Sequence, residues 1–110
     1  MKVNYRLWIE DENNQRMMGE GVALLLEAID RTGSINRAAS ELKMSYRNAW
    51  AKIEKTEHRL GYKLVARRIG GSEGGGSTLT KEGRTLLESF QKFHEAAGRE
   101  IEQLFRHYFD

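Results

Sequence analysis

The chain has 110 residues and a net charge of +2, enough for one domain with one modest core. It contains no cysteine, which excludes disulfides and thiolate metal sites and suits a reducing cytoplasm. No apolar run approaches the length of a membrane span, and the N-terminus lacks the apolar stretch of a signal peptide.

Charge is unevenly spread. Residues 31–68 hold ten Lys or Arg and three Asp or Glu, a local balance of +7, so the remainder carries −5. A basic middle between acidic flanks is what a polyanion-binding surface needs, and also what a solvated lysine-rich helix would look like.

In chain order, "KVNYRLWIE" alternates: Val3, Tyr5, Leu7 and Ile9 fall on one side, Asn4, Arg6 and Glu10 on the other, which reads as a strand despite Trp8. "EDENN" is turn chemistry. From Gly19 the run "GEGVALLLEAIDRTG" predicts a helix stopped by Gly33. Ser34 has a hydroxyl that can accept from the free amides of a second helix, on which Ile35, Ala39 and Leu42 share one face. Met44 and Ser45 interrupt it. Ser45 is again a capping residue, and "SYRNAWAKIEKTEHRL" predicts a third helix ending at Gly61. "YKLVARRI" and "STLT" read as strands on either side of a glycine-rich stretch, and Thr80 caps a long last helix.

Two short helices with a tight break match a helix-turn-helix, whose second helix is apolar on one side and small, polar or basic on the other. At 100° per residue, Ala49, Ile53, Thr56 and Leu60 cluster on the inner side of the third helix, while Arg47, Asn48, Ala51 and Lys55 lie opposite. Ala51 is small enough to let the backbone approach base edges. Arg47 can bind guanine and Asn48 adenine in a bidentate way. Ser45 with the helix N-terminus suits a phosphate, as do Lys52 and Lys55. Tyr46 and Trp50 border the core and the exposed face; Trp50 reads as a partly buried core residue, and Tyr46 as either a packing residue or a phosphate contact. His58 has no second ligand or catalytic partner nearby and reads as surface.

The stretch "RRIGGSEGGGST" is not a phosphate-cradling loop, because Gly76 stands where the lysine would be and a strand, not a helix, follows. Between two pairable strands the glycines suit a hairpin tip, a wing beside the recognition helix, with Arg67 and Arg68 at its base. In the last helix Leu87, Phe90, His94, Ala97, Ile101, Leu104 and Tyr108 recur at spacings of 3 and 4, an a/d seam. Residues 81–108 would span roughly 40 Å, longer than such a domain can cover, so a matching helix of a second copy is the expected burial; a helix folded back on its own domain is the other reading.

The residues "GSI-x-x-AA", "SYR-x-AW", "LG-x-x-L" followed by Arg, "GG-x-x-GGG" and "LT-x-x-G" resemble the N-terminal DNA-binding domain of the ModE family, the molybdate-responsive bacterial transcription regulators, which share their winged helix-turn-helix with LysR-type regulators. The resemblance runs from about Gly19 to Leu87. It implies a mainly α winged helix-turn-helix with an N-terminal strand, acting as a homodimer on double-stranded DNA. By position, Ser45 to Asn48 begin the recognition helix, Arg67, Arg68 and Gly70 to Gly76 form the wing, and Leu79, Thr80 and Gly83 start the dimer helix. The expected DNA contacts are thus Ser34, Ser45, Tyr46, Arg47, Asn48, Ala51, Lys52, Lys55, Arg67, Arg68, Gly71 and Ser72. ModE-like sensors carry further oxyanion-binding domains, whereas residues 1–110 read as one domain with residues 81–109 as its dimerisation helix. That leaves three readings of effector response: a stand-alone regulator, a sensor on a separate protein, or none. No cofactor, metal or catalytic set is expected, and the rival to DNA binding is a winged-helix module that docks protein partners.

Overall fold

In the computed structural model, which describes residues 1–68 and 76–109, the chain begins as an irregular segment that reaches the last helix and pairs as a strand only over β1 (Trp8–Glu10). Its partner is β2 (Arg16–Gly19), antiparallel, joined by a turn at Asp11–Asn14. The Asp11 carboxylate shapes that turn by accepting from the backbone of Asn13 at 2.8 Å and of Gln15 at 3.0 Å. The strand expected over the whole of "KVNYRLWIE" is therefore shorter than its alternation suggests. Residues 2–7 carry no regular structure and face a helix: the Tyr5 ring lies 5.7 Å from that of His94, and a Cβ at Gly98 would fall 2.5 Å from Tyr5 Oη. An alternating segment can satisfy its apolar side against a helix without any strand beside it.

Three helices follow. In α1 (Glu20–Thr32), Val22, Ala23, Leu25, Leu26, Ala28 and Ile29 form the buried stripe at helical spacing. Gly33 ends it in the left-handed conformation, φ 72°, and returns its N–H to Ile29 O. Ser34 caps α2 (Ile35–Glu41) by accepting from Arg37 N at 3.1 Å. A tight turn, with Lys43 at φ 58°, leads to Ser45, which caps α3 (Tyr46–Leu60) by accepting from Asn48 N at 3.0 Å. Ala49 and Ile53 are fully buried beneath α1 and α2.

The second hairpin pairs β3 (Val65–Arg68) with β4 (Gly76–Leu79) in the register Val65 to Leu79 through Arg68 to Gly76. Val65, Ser77 and Leu79 turn inward. Thr80 then joins β4 to α4 (Lys81–Phe109): its hydroxyl caps Gly83 N at 2.9 Å and donates to Lys63 O at 2.7 Å, while its own N–H reaches Leu64 O. Gly83 is demanded by packing, since a Cβ there would collide with the Leu64 carbonyl. Beyond the core α4 projects, and the molecule measures 58 × 30 × 23 Å. Among the described residues no helix is long and apolar enough to cross a membrane.

Candidate nucleic-acid interface

α3 is held by its inner residues and presents the rest. Arg47, Asn48, Ala51 and Lys55 are all exposed on its outer side. Glu54 and His58 are exposed as well, so the surface is not uniformly positive. Lys55 and Ala51 border a shallow depression of about 820 Å³ that continues over His58 to Lys63. Ser45 and Ser34 both spend their lone pairs on caps, which leaves each hydroxyl proton to be donated elsewhere.

The two arginines at the base of the second hairpin go opposite ways, as the alternation of a strand requires. The Arg67 guanidinium stacks over the Trp50 ring, 4.4 Å from its centroid, and its Nη2 donates to Tyr46 Oη at 2.7 Å. Arg68 lies instead at the turn between α1 and α2: a Cβ at Gly33 would meet its Nη2 at 3.6 Å, and one at Gly76 would meet it at 2.8 Å. A guanidinium there faces the carbonyl end of α1, where positive charge is favoured. Ser77 N bonds Gly33 O at 2.9 Å, so the same turn is tied to the hairpin.

Lys52 leans away from the outer surface of α3. Its Nζ would stand 3.4 Å from a Cβ on Gly21, beside the first turn of α1. On that flank Arg59 donates to Arg16 O at 3.1 Å, and Arg16 in turn covers the Trp8 ring at 4.8 Å. Gly71 and Ser72, expected in the wing, lie outside the described residues.

Behind this surface sits a group the sequence did not announce. Glu57 is 6% exposed, and its Oε2 accepts the backbone N–H groups of Leu64 at 2.7 Å and Val65 at 3.2 Å. Lys63 Nζ approaches its other oxygen at 3.6 Å. One buried carboxylate thereby fixes where β3 starts relative to α3, and with it the height of Arg67 above Trp50.

The helical seam divides into two parts. Leu87 and Phe90, at 4% and 3% exposure, belong to the protomer's own core and have no surface to offer a partner, which corrects their place in the expected dimer contact. His94 bonds Glu20 at 2.8 Å, and Glu20 also accepts from Leu7 N at 3.1 Å. The bond with His94 is the main reason the Glu20 carboxyl is held below its ordinary range. Ala97 and Ile101 are half-buried, whereas Leu104 is 55% and Tyr108 73% exposed. Phe93, off the seam, is exposed too.

The comparisons agree with this architecture. "Molybdenum transport protein ModE" of Azotobacter vinelandii is 45% identical over 67 residues, 61% of this chain and 25% of that protein. "DNA-binding transcriptional dual regulator ModE" of Escherichia coli K12 is 36% identical over 66 residues, 60% of this chain and 25% of that one. The chain thus spans about a quarter of the length of these relatives. Among solved structures, the CbnR_DBD–DNA complex superposes with a TM-score of 0.62 at 23% identity, covering 79% of this chain and 94% of that one. The BenM_DBD/benA site 1 DNA complex gives 0.61 at 18%, covering 81% and 94%. At those identities the likeness is one of fold. The sequence model for the bacterial regulatory helix-turn-helix protein, lysR family, matches residues 23–84, more than half the chain, and the chain belongs to that family.

Proposed function

We propose that the protein is a DNA-binding transcription regulator that works as a homodimer on a pseudo-palindromic duplex site. The observation that carries the reading is the outer side of α3, where Arg47, Asn48 and Lys55 are exposed around the small Ala51 and, among the described residues, no other element buries them. Arg47 and Asn48 sit in the first turn, from which a helix inserted end-on reads base edges in the major groove. Lys55, Ser45, Ser34, Tyr46 and the hairpin arginines contact backbone phosphates, which set register without reading sequence. Lys52 supplies charge at the flank near α1. Pairing through the distal part of α4, from Ala97 to Tyr108, presents two such surfaces to successive major grooves. Regulation follows from occupancy of the site.

The relatives include a protein named as a DNA-binding transcriptional dual regulator, which supports this reading. Selection of bound sequences from a random duplex pool, followed by a salt titration on selected and scrambled duplexes, tests it. A pair of half-sites about one helical turn apart is expected, together with a loss of roughly 0.9 log units of affinity per phosphate contact for each tenfold rise in salt. Enrichment of no sequence, with binding insensitive to salt, would leave the surface to a protein partner instead.

A further inference from the structure

We infer that Tyr46, Arg67 and Trp50 form one preorganised clamp that takes a single backbone phosphate, with Trp50 as its positioning residue. The inference deepens the DNA-binding reading and rests on it. A guanidinium stacked on an indole face keeps its plane parallel to the ring and turns its N–H edge outward. In this chain the Trp50 ring lies under Arg67, 4.4 Å from the guanidinium carbon, and Nη2 spends one N–H on Tyr46 Oη at 2.7 Å. A phenol oxygen that accepts from a cation must direct its own O–H elsewhere, and it donates more strongly for being polarised. Among the described residues, neither that O–H nor the remaining N–H groups of Arg67 have a protein acceptor. Tyr46 is 42% exposed and Arg67 is exposed, so both donors open to solvent at the first turn of α3.

The two donors suit the two non-bridging oxygens of one phosphodiester, one accepting from the phenol and the other from the guanidinium. They do not suit a base edge. An arginine held over the Trp50 ring and bonded to Tyr46 cannot extend end-on into a groove without giving up both contacts. Arg67 is therefore a phosphate contact, Tyr46 shares its phosphate, and Trp50, half-buried at the border of the core, is the platform that holds the pair open before DNA arrives.

The test measures affinity for the selected duplex and for a set in which each phosphate in turn is replaced by a neutral methylphosphonate. The wild-type protein is expected to lose about tenfold at one position in each half-site, the scale of a single charge-assisted hydrogen bond. Tyr46→Phe and Arg67→Ala should each lose about tenfold on the unmodified duplex and become less sensitive to that same replacement, because one of the two contacts to it remains. Their double variant should lose less than the product of the two, because the contacts share one partner. Trp50→Leu should mimic Arg67→Ala, and Trp50→Phe, which restores a ring face, should recover binding. Tyr46 and Arg67 are exposed, so their variants carry the test even if Trp50→Leu melts early. Sensitivity reduced at different phosphates for the two variants, losses that multiply, or full sensitivity retained in both would overturn the clamp. Wild-type protein with no salt-sensitive affinity for any duplex would instead overturn the DNA-binding reading beneath it.

Discussion

The carboxylate of Glu57, near the end of α3, accepts the backbone N–H of Leu64, just before β3, at 2.7 Å in a site 6% exposed to solvent. This bond, with its companion to Val65, makes the helix end and the hairpin start one rigid unit. Glu57→Ala leaves two buried donors without a partner, and the expected cost is about 2–3 kcal/mol. Denaturant unfolding measures it. A loss under 0.5 kcal/mol would mean that water takes over both N–H groups.

At Arg47 the effect should fall on recognition and leave folding intact, because the side chain is exposed. Arg47→Ala should cost about 1–3 kcal/mol of binding on the best site and relax preference at one base pair. Competition between the best duplex and its single-position variants reads this directly. Equal weakening on every sequence would reassign Arg47 to the phosphate backbone.

For the long helix, the division of the seam makes a specific claim. Leu87 and Phe90 belong to the protomer's core, so changing them should unfold the chain, whereas Ile101→Asp with Leu104→Asp should yield folded monomers. Sedimentation velocity alongside circular dichroism separates the outcomes. A variant that stays dimeric would place the interface off the distal half of α4.

Glu20 gives the pH dependence. Its folded carboxyl is held below the ordinary range, chiefly by the bond with His94. A group depressed in this way contributes stability above its unfolded pKa and loses it as pH falls through the folded value. The difference in melting temperature between wild type and Glu20→Gln should therefore be present at neutral pH and disappear under acid. Both partners are more than a third exposed, so the effect should be small and weakened by salt. A difference that grows on acidification would refute this.

What was legible in the sequence was mostly local. Ser34, Ser45 and Thr80 as caps, and Gly33 and Gly61 as stops, each depend on atoms within about four residues, and all stand where the spacing put them. The inner side of α3 was readable because a helix turns at a fixed angle. The run Arg16–Gly19 is not legible as a strand because "RMMG" has no β-branched residue and makes a strand only through its pairing with Trp8–Glu10. Nothing near Glu57 in the sequence marks it as buried; the two amides that pair with it are 7 and 8 residues further on. Arg67 and Trp50 stack across 17 positions, a meeting that no periodicity encodes. Nor can a run of 3 and 4 spacings tell whether Leu87 faces its own core or a second chain.

The absent side chain at Gly83, which seats the start of α4 on the Leu64 carbonyl, has a mechanical consequence. With Thr80 latched to Lys63 and Leu64 beside it, and Arg84 gripping Asp30 at 2.7 Å, the long helix has no swivel at its root. Two protomers joined along their far ends would behave like a caliper locked at one opening, and the span between their reading heads would be fixed before any duplex is measured.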